Sequence, residues 1–330
     1  MHDFINTNSA ETNQCRRSCV YSDGGGRRHS GPAALDMSRK RLKGLTAFQI
    51  KVLALTFMTL DHIAAFGFEI PIVDRYSEYL RMIGRLAAPL FLFLLVQSIR
   101  HTKSKPKFLI RLYLAGMCVE LFVTAMNLCL GEVFTYFTPN NIIFTFFYTA
   151  LYAILIERLV SARSTRNMRV LAISICLIVV SFVPTIFSLH DLLYHVIMPS
   201  NASIRVNYLV RGLYYSLLPS FNSIDYGIGF VILGVFMYFA KSKNRQCLVF
   251  VSFCAICIVG AFVAPTELYR MQSFGFVQDF FDLFQCYMIF ALPIMFLYNG
   301  EPGQKCKWFF YGYYPLHREL IFIIAQLIAE

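Results

Sequence analysis

Charge is what this 330-residue sequence has least of: Asp, Glu, Lys and Arg make up 15% of it, against 57% hydrophobic residues. A soluble domain covers its surface with about a quarter charged residues, so water is excluded as the main solvent of this chain. Linkers are scarce too. No Pro/Gly/Ser-rich stretch interrupts the hydrophobic region, which excludes a string of separate domains and leaves one membrane domain over residues 45–330. The ten cysteines lie mostly in apolar runs, where a thiol acts as a small hydrophobe, so no disulfide framework is implied. Cys254 and Cys257 have CxxC spacing, but no second pair or redox-fold pattern accompanies them, and packing is the better reading. No metal site is expected.

Residues 1–44 differ from the rest. They are polar, contain three glycines at 24–26 and lack the apolar core of a secretory signal. This extension is expected to lack a fixed fold, and Met37, followed by a basic SRKRLKG, reads as an alternative start of translation. The formal charge of +11 does not point to nucleic acid, because the Lys and Arg fall between hydrophobic segments instead of forming one patch.

Crossing about 30 Å of hydrocarbon takes roughly 20 residues. Nine stretches qualify: Leu45 to Phe66, Ile83 to Ile99, Phe108 to Leu130, Asn141 to Ile156, Val170 to Phe187, Asp225 to Ala240, Gln246 to Pro265, Phe280 to Tyr298 and Trp308 to Ile328. The fold class is therefore all-α, a polytopic helix bundle with about nine membrane helices, in a range of 8–10. Residues 189–223 are ambiguous, since the apolar run from Tyr208 to Leu218 is short and carries Arg211, a pattern that suits a re-entrant or interfacial helix. Basic clusters recur at alternate loops, at Arg39 to Lys43, Arg100 to Arg111, Arg158 to Arg169, Lys241 to Arg245 and Lys305 to Lys307. The positive-inside rule then sets the N-terminus in the cytoplasm and the C-terminus outside, in the inner membrane. Arg75, Arg81 and Arg85 fall on the predicted outer side, accompanied by Glu69, Asp74 and Glu78.

Ionisable residues inside spans are costly and usually face protein or a water-filled cavity. Asp61 and His62 end the first span, and Lys51, eleven residues before His62, returns to nearly the same face about 16 Å away. Arg85 opens the second span and is the natural partner for Asp61, either as part of a site or as a staple between helices. Glu120, Thr124 and Asn127 make one polar stripe at i, i+4 and i+7, read as glue between helices. Asn141 reads as a helix cap, as does Asp225 ahead of two glycines. The turn Tyr298 to Gly303, with Asn299 and Gly300 followed by Lys305 and Lys307, has the makings of a phosphate-binding loop. In the last span Pro315 should kink the helix, and Tyr313 or Tyr314 can neighbour His317.

Taken in order, IKVLALTFMTLDHIAAF, IGRLAAPLFLFLLVQSIRHT, KFLIRLYL, NIIFTFFYTALYAI, DYGIGF, LYNGEPG and FFYGYYPLH resemble the TraX family. That resemblance implies acetylation chemistry: its founding activity is acetylation of a pilin N-terminus, and the family is similar to wider transmembrane acyltransferases that use intramembrane His and Arg. It implies acetyl coenzyme A as a cytoplasmic donor, catalytic roles for His62, Asp61, Arg85 and His317, and donor contacts at Asn299, Gly300, Lys305 and Lys307. Lys51, Glu120, Asp225 and Tyr314 remain as further intramembrane polar residues. The expected partners are membrane lipid and an acyl acceptor, a protein N-terminus or an envelope glycan or lipid, and not nucleic acid. A secondary transporter and a non-catalytic assembly subunit are the competing readings, because buried Asp, His and Arg also suit an ion path or simple packing.

Overall fold

The computed structural model describes residues 44–130, 141–189, 203–221, 223–263 and 283–329, so the polar extension lies outside the described residues. Helices follow one another along the chain: α1 Ala47–Phe66, α2 Pro71–Gly84, α3 Ala87–His101, α4 Lys105–Leu130, α5 Ile142–Ser164 and α6 Met168–Leu189. After these come α7 Ile204–Leu217, α8 Gly227–Phe239 and α9 Lys243–Val263. A 3₁₀ helix Leu283–Ala291 runs into α10 Leu292–Leu297, and α11 Lys307–Ala329 closes the chain. Among the described residues the only β contact is an isolated bridge between Leu45 and Tyr298. Every stretch expected to span holds a helix, and the protein is an all-α membrane bundle.

Six of these helical units are long and apolar enough to cross a bilayer: α1, α2 with α3, α4, α5, α6 and α9. The α3 helix is the hub. Its Leu90, Leu92, Phe93, Val96 and Ile99 are buried against Ile50 and Ala54 of α1, Phe230 and Met237 of α8, Phe250 of α9 and Met295 of α10. The α6 helix is peripheral, with Ile173, Val179, Val180 and Ile186 exposed, as suits a face turned to lipid, where apolar exposure carries no cost.

Caps set the helix starts. Thr46 and Gln49 form a reciprocal capping box at α1, and the predicted Asn141 cap accepts from the Ile143 N–H at 3.1 Å. The segment expected as a short outer loop is instead α2, started by Pro71 and packed on α1 with Asp74, Arg75, Tyr76, Glu78 and Tyr79 exposed. An amphipathic helix at an interface tolerates its basic residues on either side of the membrane, which accounts for Arg75 and Arg81. The apolar unit Pro71–His101 contains the whole second expected span, and Arg85 sits in the turn that separates α2 from α3 within it.

Of the ambiguous segment, residues 190–202 and 222 lie outside the described residues, and the described part forms α7, half of a broken crossing. The α7 helix runs antiparallel to α4: the Tyr113 hydroxyl donates to the Leu217 carbonyl at 2.7 Å, while Gly212 meets Thr124. The α8 helix runs parallel to α5, with Thr145 at Asp225 and Thr149 at Gly234. Since α4 and α5 are themselves antiparallel, with Gly116 near Phe144 and Lys105 paired to Glu157, α7 and α8 run in the same direction. With 14 and 13 residues, neither spans alone. Between them a buried loop holds Pro219, Ser220, Phe221 and Ser223, and protein groups satisfy its backbone, as lipid depth requires. Tyr148 donates to the Pro219 carbonyl, the Phe221 N–H to Thr185, and the Asn141 N–H to the Ser223 carbonyl.

Candidate functional site: a histidine pair inside the bundle

The first and last helices lie side by side and parallel. Successive contacts climb together: Phe48 with Phe310, the Lys51 ammonium over Phe310, Thr59 with Tyr313, His62 with His317, and Phe66 with Phe322. The face carrying Lys51 and His62 is thus the face that meets α11, with Lys51 held in a cation–π contact 5.4 Å from the Phe310 centroid.

Two hydrogen-bonded rungs join these helices. Thr59 Oγ1 donates to the Leu55 carbonyl at 2.8 Å, so in its 2.6 Å contact with Tyr313 it is the acceptor and the phenol donates. One turn on, His62 Nδ1 and His317 Nε2 are 2.8 Å apart, while His317 Nδ1 lies 2.8 Å from the Tyr313 carbonyl. A carbonyl only accepts. His317 Nδ1 must therefore carry a proton, and in the neutral ring its Nε2 is the bare acceptor. That forces the proton of neutral His62 onto Nδ1 and leaves a lone pair on His62 Nε2. The His317 ring is also held by Tyr313, stacked at 4.8 Å and 8°. Tyr314, the other phenol expected near the imidazole, is farther at 6.2 Å, and its hydroxyl accepts from the Ile142 N–H at 3.4 Å.

Arg85 is 8% exposed, and its guanidinium reaches the Tyr226 hydroxyl within the field of Asp61 and Asp225. Asp61 Oδ1 and Arg85 Nε are buried without hydrogen-bond partners, and the two residues form no ion pair, so they are not the staple that adjacent spans suggested. Asp61 is pressed against Gly84, where an added Cβ would come within 2.7 Å of its Oδ1. Asp225 is not the cap of α8. That position is Tyr226, in the left-handed region at φ 59° with no side-chain cap bond, a costly conformation for a bulky residue and one that points to a functional constraint.

Glu120 and Thr124 are buried as the stripe required, and Glu120 accepts from Asn141 Nδ2 at 3.4 Å. Arg318 and Glu319, which the sequence did not single out, extend the polar interior: Arg318 is in electrostatic reach of His62 and Glu120, and both Glu319 carboxylate oxygens are buried without hydrogen-bond partners. Their signal was adjacency to His317 in a membrane helix. The turn at 298–303 lies apart from the histidine pair, at the start of α1. Its Glu301 and Pro302 carbonyls accept from Ala47 and Phe48, and Asn299 Oδ1 accepts from the Glu301 N–H. Gly300 adopts a positive φ of 85° there, and Lys305 is exposed.

These features define a polytopic helical membrane protein whose interior carries an oriented histidine pair beside a buried arginine. Residues 47–208 match the model described as TraX protein, so that stretch, just under half of the chain, is similar to the TraX family. His62, Asp61, Arg85 and Glu120 fall inside the match, while Asp225, Asn299 and His317 lie beyond it. A probable fimbrial assembly protein, FimC of serogroup H1 from Dichelobacter nodosus, is 35% identical over 104 residues, which are 30% of this chain and 42% of that protein. The similarity therefore spans less than half of that relative's length. No solved structure matches.

Proposed function

We propose that this TraX-like protein is an acyltransferase that moves an acetyl group from cytoplasmic acetyl coenzyme A to an amine or hydroxyl of an envelope component. The observation that carries the reading is the hydrogen-bond relay from the Tyr313 carbonyl through His317 to His62, which presents a bare Nε2 inside the membrane region. His62 Nε2 takes the acceptor's N–H or O–H proton as that atom attacks the thioester carbonyl. The C–S bond breaks, the coenzyme thiolate leaves, and the proton on His62 returns to it. Arg85, with an Nε that makes no protein hydrogen bond, is suited to hold the oxyanion that develops on the carbonyl. Lys305 and Lys307 stand at the start of α11 and supply cationic charge for the donor's phosphates at the predicted cytoplasmic end.

The test is acetyl coenzyme A turnover by purified protein with envelope extract, followed by mass spectrometry of acetylated products. His62→Gln should stay folded yet lose on the order of 100-fold or more, the scale of a positioned proton acceptor. Native turnover by a folded His62→Gln protein removes His62 as the base. A second reading, a non-catalytic subunit for assembly of a surface appendage, draws on the name of the Dichelobacter relative and predicts no thioester consumption at all.

A further inference from the structure

On the α4 side of the bundle, α4 and α7 flank an open cleft lined by Glu120, Thr124, Asn127, Tyr208, Arg211 and Tyr215. The helices approach closely at Gly212, where a Cβ would collide with the Thr124 side chain, and the cleft follows this contact along both helices. Because α7 is antiparallel to α4, Glu120 and Tyr215 form the inner part, and Asn127 and Tyr208 lie toward the end where α1, α4 and α11 finish. This is a polar recess in a part of the bundle that lipid surrounds, since Val206, Leu209, Leu213 and Leu217 on the other side of α7 are exposed.

A chain of contacts links the cleft wall to the site. Glu120 accepts from Asn141, the next residue's N–H bonds Tyr314, and Tyr314 neighbours His317. Its chemistry selects a guest. Glu120 is the acid and Arg211 the base of its lining, so a guest with net charge of either sign meets an unfavourable group as well as a favourable one. What remains is a dense set of groups able to donate and accept: a hydroxyl, an amide and two phenols. The Thr124 hydroxyl spends its proton on the Glu120 carbonyl at 2.8 Å and keeps lone pairs to offer. Two tyrosines add apolar ring faces with polar tips.

From this charge-balanced lining we infer that the α4–α7 cleft binds a neutral polyhydroxylated group of the sugar-headgroup class, and that this is the acceptor side of the site. The second clause rests on the acyl-transfer reading; the first does not.

The experiment uses the full protein in nanodiscs free of sugar detergents. Methyl β-glucoside, octyl β-glucoside, ethylamine and acetate are titrated by saturation-transfer NMR against the native protein, Asn127→Leu and Tyr208→Leu. Both glucosides should bind, and each variant should weaken them about tenfold, the scale of a lost ligand hydrogen bond. Binding by octyl β-glucoside alone, weakened by the same variants, also supports the inference and identifies the source as a lipid-linked sugar. Ethylamine or acetate binding in place of the glucosides overturns it, as does glucoside binding that neither variant weakens. Arg211→Gln, on an exposed side chain, guards against misfolding of the first two: it should admit ethylamine, and its failure to change the selectivity rejects the charge-balance argument. Acetylation of an amine with no glucoside binding defeats the cleft inference and leaves acyl transfer standing. Glucoside binding without thioester consumption does the reverse.

Discussion

His62 and His317 are 255 residues apart in sequence and one hydrogen bond apart in space. In this pair the two rings have different tasks. His62 presents Nε2, and His317 acts through it, by accepting the Nδ1 proton that fixes the tautomer. A side chain that only packs is replaceable by one of similar size, whereas a side chain that accepts a hydrogen bond is replaceable by another acceptor. Gln puts an amide oxygen near the place of the imidazole Nε2, so His317→Gln should keep most of the activity, while His317→Met should lose roughly 10- to 100-fold, short of the loss from removing the base. The comparison is made on protein shown to be folded, with rates at several pH values. Equal activities for Gln and Met would reduce His317 to packing.

At the scale of elements, the unusual feature is the break between α7 and α8, where chain without helical structure lies inside the bundle. Its carbonyls and N–H groups have no water to turn to, so they depend on partners within the protein, among them the Tyr148 and Thr185 side chains and the Asn141 N–H. Tyr148→Phe removes the hydroxyl that donates to Pro219 and leaves a buried carbonyl unsatisfied, which should cost about 1–3 kcal/mol. Because the same loop delivers Tyr226 to Arg85, activity should fall as well. Denaturant titration in micelles alongside turnover reads both, and an unchanged midpoint would show that the loop does not rely on this bond. Apolar run length made the positions of α1, α3, α4, α5, α6, α9 and α11 legible in the sequence, and Asn141 marked a helix start. The broken crossing was not legible, because what stabilises it comes from Tyr148, Thr185 and Asn141 in distant segments. The site divides the same way. Each ionisable residue announces itself singly by its cost in lipid, but periodicity speaks only within one helix, so it tied Lys51 to His62 and was silent on His62 with His317. It also read the α4 stripe as glue, since nothing within α4 shows that Tyr208 and Arg211 of α7 stand across from it.

For the whole molecule, the parallel run of α1 and α11 constrains the topology. Two parallel spans have their C-terminal ends on one face, so the number of full crossings from first to last must be odd. Among the described residues, counting α7 and α8 as one broken crossing and α2 with α3 as one unit, the order α1, α2–α3, α4, α5, α6, α7–α8, α9, 3₁₀–α10 and α11 gives nine. If α7 crossed by itself, α8 would have to run against it, contrary to the directions that α4 and α5 impose. From the basic loops we propose one of the two orientations, with Lys103 and Arg163 in the cytoplasm and Glu69 and Leu327 outside. Single cysteines at these four positions, in protein whose ten native cysteines are replaced, should fall into two pairs with a membrane-impermeant maleimide on intact cells, Glu69 and Leu327 reacting and Lys103 and Arg163 protected. Labelling of Leu327 together with Arg163 would mean an even count, and would break the parallel pairing on which the His62–His317 bond depends.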